Sequence, residues 1–241
     1  MVQDDSLEEA DRRISERTRQ ECPEEMHLLE RGLIIHMRAL GFLGKHTRWE
    51  SHSDVLRVVL MTRCFNSLHL AYRALASGYH SQALVLLRSA LEDWLAEQYL
   101  NTRPQEAPRW ILPDYHRPKR STLLKAVGSP TREKVVTIFN RLDEFAHPGR
   151  LGVWQITDPT TSGHYVRLGG HADSRSLELV VNPFLFVLSV SHNTLLALQT
   201  QVGHQPEERW VTEANDFDRR ATEWFDRFNR RFEEKSTAPR D

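Results

Sequence analysis

Apolar residues recur at intervals of three and four along most of the chain, the periodicity of α-helices that bury one face. Residues 5–20 are almost wholly polar and predict a solvated helix or arm. We therefore expect an all-α fold, a helical bundle of five to seven helices. The predicted helices cover residues 23–43, 54–77, 81–101, 131–147, 182–201 and 206–234, with a short helix near 121–127.

The two helices within residues 54–101 form the predicted centre of the bundle. A turn of only three residues, 78–80, joins them, and so short a connection places two long helices antiparallel. The second helix is apolar around most of its circumference between Ala83 and Leu91, which indicates burial on several sides. We expect this central antiparallel helical hairpin to support the other helices.

Composition changes along the chain suggest four parts and one additional element. Residues 152–156 and 164–168 have the character of strands and leave a small β-hairpin in a loop as an alternative to irregular structure. The four parts are a charged N-terminal arm or helix (1–22), the helical bundle (23–204), a C-terminal amphipathic helix (205–234) and a disordered tail (235–241).

Glycine and proline set the expected ends of two helices. Gly41 and Gly44 are expected to end the helix that begins near Pro23, because glycine is a poor helix former. Pro183 is expected in the first turn of its helix, where a missing N–H costs little.

Bulk composition excludes several classes of protein. The formal net charge is −1, so the whole chain does not attract nucleic acid electrostatically. The two cysteines, Cys22 and Cys64, form neither a metal-binding spacing nor a disulfide framework. The acidic N-terminus lacks the apolar core of a signal peptide, and we expect no apolar run long enough for a membrane span. A soluble cytoplasmic protein with reduced thiols is the expected class.

The segment 140–149 gathers the strongest candidate chemistry. Arg141, Asp143, Glu144 and His147 occupy the last two turns of a predicted helix that ends before a proline. Their spacing places Arg141, Glu144 and His147 on the polar side of that helix. Metal-independent RNA cleavage needs an acid or base near neutral pKa and a cation for the phosphorane, roles that a histidine and an arginine supply. The alternative is a capping histidine among solvated charges.

Arg88 and Glu92 form a second candidate group. They lie one helical turn apart in the apolar stretch of the hairpin, where unpaired charges would be costly. They are either a buried ion pair that fixes the helix register or part of a cleft shared with the His147 helix.

The only compact basic cluster follows the hairpin. Arg117, Lys119, Arg120 and Lys125 lie there beside Tyr115. If the protein binds RNA, this is where the phosphates are expected. The alternative is a solvated loop.

Metal binding is the third alternative. The segments Glu144 to His147 and Glu24 to His27 each match the Glu-x-x-His pattern of di-iron bundles. Such short matches arise by chance in a chain rich in Glu and His, and the helix order differs from that of those bundles. We therefore expect no metal and no cofactor.

The candidate residues resemble those of the HEPN superfamily over roughly residues 54–200. The resemblance rests on Arg141 and His147, separated by five residues at a helix end, and on the Arg-Ser-Ala-Leu-Glu segment from Arg88 to Glu92. It is nearest to uncharacterised bacterial all-helical proteins with an Arg-Ser-x-x-Glu helix and a later His-Pro helix end. The resemblance implies a dimeric helical bundle. Many such proteins are ribonucleases of toxin–antitoxin and antiphage systems, whereas others are binding or scaffold modules.

The resemblance gives the expected function and partners. Arg141 and His147 are the expected catalytic pair of a metal-independent endoribonuclease of a toxin or defence system, and the alternative is a non-catalytic helical interaction or regulatory module. The expected partners are RNA, a second copy of the chain, and an antitoxin or other protein. A homodimer is expected because the last helix carries aromatic residues that one copy would leave exposed. These residues are Trp210, Phe217, Trp224 and Phe228.

Overall fold

The computed structural model describes residues 6–46, 51–146, 157–160, 163–166 and 174–237. The helices in chain order are α1 (Leu7–Glu21), α2 (Pro23–His46), α3 (His52–Ala76), α4 (His80–Thr102), α5 (Ala107–Trp110), α6 (Arg120–Leu123), α7 (Ser129–Ala146), α8 (Ser174–Gln201) and α9 (Glu208–Thr237). Two 3₁₀ turns, Pro104–Glu106 and Leu124–Ala126, adjoin α5 and α6. A short strand β1 (Thr157–Thr160) pairs antiparallel with β2 (Gly163–Val166).

The fold is all-α in class, as the hydrophobic pattern predicts. The expected number of five to seven helices is not confirmed, because the described residues form nine α-helices, of which α5 and α6 are single turns. The expected β-hairpin is not confirmed either. Its first strand, 152–156, lies outside the described residues, and β2 pairs instead with the residues directly after that segment.

The hairpin of α3 and α4 lies at the centre of the bundle. Its turn contains Gly78, whose φ of 77° is a backbone conformation that glycine adopts without strain. Helix α4 packs against α3, α7 and α8. Between Ala83 and Leu91, the apolar residues Ala83, Leu84, Leu87 and Leu91 of α4 are at most 1% exposed, whereas Val85 is 45% exposed, so this stretch is not buried around most of its circumference.

Two predicted helix ends are wrong for a common reason. Helix α2 continues through Gly41 and Gly44 to His46, and α8 begins at Ser174, so that Pro183 lies inside it. An interior glycine costs about 1 kcal/mol and an interior proline about 3 kcal/mol relative to alanine. The buried residues on either side of Pro183, including Val181 and Phe184, stabilise the helix by more than this through packing.

The aromatic residues of α9 are buried within their own chain. Trp210, Phe217, Trp224 and Phe228 are at most 6% exposed. The indole N–H of Trp224 also donates to Glu25 of α2 at 3.1 Å. The argument that these residues require a second copy is therefore wrong, and the homodimer stays a prediction without that support.

Helix α8 corrects the expectation that no segment resembles a membrane span. Among the described residues, Leu177–Gln201 has the length and apolar composition of such a span. The fold buries 61% of its most apolar window. Helix α8 packs against α2, α4 and α9, which is the environment of a core helix in a helical bundle.

Close packing joins α2 to α8 and α9 at Gly32. A Cβ atom at this position would lie 2.7 Å from the ring of Phe217 and 2.8 Å from Leu188. The absence of a side chain thus lets the three helices approach, and the Gly32 carbonyl lies 2.9 Å from Nε2 of His192.

Two histidines are buried beside this contact. The rings of His36 and His192 lie 6.0 Å apart, and both side chains are at most 1% exposed. Neither ring nitrogen of His36 has a well-formed hydrogen bond among the described residues. Burial lowers the pKa of His36 to about 3, with a further lowering from His192, and burial lowers the pKa of His192 to about 4.

Acid should therefore destabilise the protein through these two histidines. The unfolded chain binds a proton at each below its ordinary pKa of 6.5, whereas the folded chain does not until about pH 4 or 3. The free energy of unfolding should fall between those limits by up to about 1.4 kcal/mol per pH unit per histidine. In urea unfolding between about pH 7 and about pH 5, His36→Leu should show a shallower fall than the parent protein.

The control for this prediction is His27→Ala, which removes an exposed histidine from the same helix. It should leave the slope unchanged. Equal slopes for His36→Leu and the parent protein would show that His36 does not stay neutral in the fold.

Candidate functional site

Helix α4 carries ionised side chains on the sides that face its neighbours. Arg88 and Glu92 face α6 and α7, while Asp93 and Glu97 face α3, as their ion-pair partners show. Because α4 is covered on several sides, these charges need partners from other helices. The candidate site is therefore a set of ion pairs that radiates from one helix.

Four charged residues from α4, α6 and α7 form the ion-pair cluster. Nε of Arg88 lies 3.3 Å from Glu92 and 3.2 Å from Asp143, in the geometry of an ion pair rather than of a hydrogen bond. Arg120 donates two hydrogen bonds to the carboxylate of Asp143, at 2.7 and 3.4 Å. It also lies 3.7 Å from Glu92. Two guanidinium groups and two carboxylates thus neutralise one another across three helices.

Arg120 has a further contact that fixes its position. Its guanidinium carbon lies 4.4 Å from the centre of the Phe139 ring, which is buried in α7. Cation–π attraction adds to the two hydrogen bonds to Asp143. An incoming phosphate would have to compete with these contacts, so the expected role of Arg120 in RNA binding conflicts with its place in the ion-pair cluster.

A more deeply buried ion pair lies on the opposite side of α4. Arg57 of α3 is 5% exposed and Glu97 is fully buried, and their charged groups lie 2.7 Å apart. Arg57 also donates to the side chain of Gln201 at 2.7 Å. Gln98 donates to Glu97 at 2.7 Å and to Thr194 at 2.9 Å. This network ties α3, α4 and α8 together.

The pKa values of the buried carboxylates show that burial disfavours their charged forms. Burial raises the pKa of Glu97, and the charge and hydrogen bond of Arg57 offset this only in part. Burial likewise raises the pKa of Asp93, against the opposing effect of Arg63 at 3.3 Å and of Arg117. Both carboxylates therefore depend on their arginines to offset the loss of hydration on burial.

The residues at the end of α7 differ from the ion-pair cluster. Arg141 and Glu144 are exposed, as the polar-side prediction requires, and Arg141 makes no ion pair with any described residue. Leu142, which lies between Arg141 and Asp143 in the sequence, is fully buried. His147, the expected catalytic partner, lies outside the described residues, so the pairing of Arg141 with His147 stays a prediction.

The residues of the basic cluster lie in different environments. Lys119 and Lys125 are exposed, whereas Arg120 belongs to the ion-pair cluster. The guanidinium of Arg117 lies 5.7 Å from the centre of the Trp110 ring. Lys119 and Lys125 thus remain accessible to a phosphate, and Arg117 is accessible from one side.

A cavity of about 450 Å³ lies between α2, α8 and α9, and none of the predicted site residues lines it. Within the described ranges, no group of three or more His, Cys, Asp or Glu side chains could hold a metal ion. Both cysteines are buried thiols.

Sequence analysis missed the buried ion pair of Arg57 and Glu97. Arg57 precedes Leu60 and Cys64 by three and seven residues, and Glu97 follows Trp94 by three, so both occupy positions of their apolar stripes. When each of two antiparallel helices carries a charged residue in its apolar stripe, and the two charges have opposite sign, the pattern predicts a buried ion pair.

Comparison with protein-family models, with curated proteins and with solved structures yields no match to this chain. The interpretation of the site therefore depends on its own geometry and on the residues quoted above.

Substitutions at Arg57 and Glu97 should have non-additive effects on the free energy of unfolding. Arg57→Met or Glu97→Leu alone should each lower the free energy of unfolding by about 3–5 kcal/mol, because each leaves an uncompensated buried charge. The double variant should be less destabilised than either single variant, since it buries no charge. Urea unfolding of the three variants measures this.

The matched control is Arg12→Ala, which removes two ion pairs on the exposed surface of α1. Its effect on the free energy of unfolding should be much smaller, because exposed ion pairs are screened by solvent. Additive losses in the double variant of Arg57 and Glu97 would contradict the predicted coupling.

Proposed function

We propose that this chain is a HEPN-like helical protein that acts on RNA at the C-terminal end of α7, as a metal-independent endoribonuclease of a toxin or defence system. Arg141 would stabilise the charge on the phosphate, and His147 would act as general acid or base. The observation that supports this proposal is the environment of Arg141. Its guanidinium is exposed and has no ion-pair partner among the described residues.

Arg88 and Arg120 differ from Arg141 in having carboxylate partners. Arg88 and Arg120 are held by Asp143 and Glu92, so their charges are already compensated within the fold. An arginine that must bind a transferring phosphate needs an uncompensated charge at the protein surface. Arg141 meets that requirement, whereas Arg88 and Arg120 do not.

The basic cluster could extend the proposed RNA surface around the end of α7. The bond between Arg120 and Asp143 brings the start of α6 to the last turn of α7, on nearly the opposite side of that helix from Arg141. Lys119 and Lys125, on either side of α6, can then contact phosphates further along a bound strand. In this proposal, Arg120 positions the segment and does not bind RNA itself.

A second proposal is a non-catalytic helical interaction or regulatory module in the cytoplasm, which binds an antitoxin, another protein or a second copy of the chain. The ion-pair cluster favours it, because all four members, Arg88, Glu92, Arg120 and Asp143, satisfy one another within the chain. In such a module the charges fix the helix register and take no part in chemistry.

Cleavage of a labelled single-stranded RNA in the presence of EDTA tests the first proposal. Arg141→Ala and His147→Ala should each lower the cleavage rate at least about 100-fold, the usual contribution of a general acid or base or of a charge-stabilising group. The matched control is Lys134→Ala, which removes an exposed cation from α7 two turns before Arg141. This control should cleave as the parent protein does.

Two outcomes would reject the ribonuclease. One is a parent protein that does not cleave RNA, and the other is equal cleavage by the parent, Arg141→Ala and His147→Ala proteins. Either outcome would favour the second proposal, an interaction module, in which partner binding should not depend on His147.

A further inference from the structure

The cavity of about 450 Å³ lies far along the fold from the ion-pair cluster, between the second half of α2, the end of α8 and the first turn of α9. Its volume is within the range of small-molecule sites in proteins. The residues that line it are Arg38, Ala39, Gly41, Phe42, Lys45, Gln199, Glu207, Arg209, Trp210 and Glu213.

The lining carries an excess of positive charge. Arg38 and Arg209 both bind the carboxylate of Glu213, at 2.6 and 3.1 Å. Although burial opposes it, hydrogen bonds from Arg209 and Arg38 hold the pKa of Glu213 below its ordinary value, so this group is ionised at neutral pH. Glu207 and Lys45 form no ion pair with any described residue. Three cations against two carboxylates leave one net positive charge.

The rest of the wall contains two aromatic rings, Phe42 and Trp210, beside the amide of Gln199. The ring of Phe42 meets His204 edge to face at 5.5 Å between centroids. Trp210 is buried, and its indole N–H already donates to the Ile35 carbonyl at 2.9 Å, so it offers a ring surface and no hydrogen bond. A Cβ atom at Gly41 would meet nothing within 4 Å, which shows that the α2 side of the cavity is open.

We propose that this cavity binds a small organic anion that carries a phosphate or carboxylate head on an aromatic ring. The head lies among Lys45, Arg38 and Arg209, and the ring lies along Phe42 and Trp210. Two guanidinium groups that share one carboxylate keep donors for a second anion, and Lys45 supplies the uncompensated charge. This site is independent of the proposed action on RNA.

Isothermal titration with defined probes tests the proposal. Adenosine 5′-monophosphate represents the aromatic phosphates and indole-3-acetate the aromatic carboxylates, and at least one of them should bind. Adenosine, which lacks the charge, and inorganic phosphate, which lacks the ring, should bind at least about tenfold more weakly. The probe that binds identifies the head group. Failure of both aromatic anions to bind, or equal binding of adenosine, overturns the proposal.

Three variants locate the binding in this cavity. Gly41→Leu fills the open side and should weaken binding at least about tenfold, with no loss of thermal stability because leucine is the better helix former. Lys45→Ala should weaken binding roughly threefold. Glu213→Gln should strengthen it by a similar factor, because it frees both arginines from their carboxylate.

Two controls separate this site from the proposed RNA site. Lys134→Ala, on α7, should leave the binding of the probe unchanged. Arg141→Ala should also leave it unchanged, whether or not the protein cleaves RNA. Unaltered affinity in a folded Gly41→Leu protein, or weaker binding by Glu213→Gln, would show that the anion does not bind in the cavity.

Discussion

The pairing of charges on α4 is the interaction on which the arrangement of the helices depends. Helix α4 packs against α3, α7 and α8, and burial of Asp93 and Glu97 removes the hydration of their charges. Arg63 and Arg57, both on α3, pair with these two carboxylates. Arg88 and Glu92 are 26% and 48% exposed, and they pair with each other and with residues of α7 and α6. Burial of the apolar stripes brings the helices together, and the ion pairs determine their register.

The sequence predicts the elements better than it predicts the contacts between them. The periodicity of α4 indicates its burial, and the phase of α7 separates exposed Arg141 from buried Leu142. Pro183 and Gly41 mislead because packing outweighs their local preference within long core helices. The burial of Trp224 against α2 depends on a contact between residues about 200 positions apart, which periodicity does not contain.

The candidate arginines fall into two groups. The expected arginines look equivalent in the sequence, since each lies on or beside a helix with nearby carboxylates. The fold distinguishes them: Arg88 and Arg120 join α4, α6 and α7, whereas Arg141 is exposed on the polar side of α7. The proposed RNA chemistry involves Arg141 at the end of α7, and none of these arginines lines the cavity between α2, α8 and α9.

The most direct test of this account is a double-mutant cycle between Arg88 of α4 and Asp143 of α7, with stability measured by urea unfolding. If the pair holds α7 on α4, the cycle should give a coupling free energy of about 0.5 kcal/mol or more, as charges in contact within one network do. A coupling indistinguishable from zero, with both single variants as stable as the parent protein, would show that these charges do not hold the helices together.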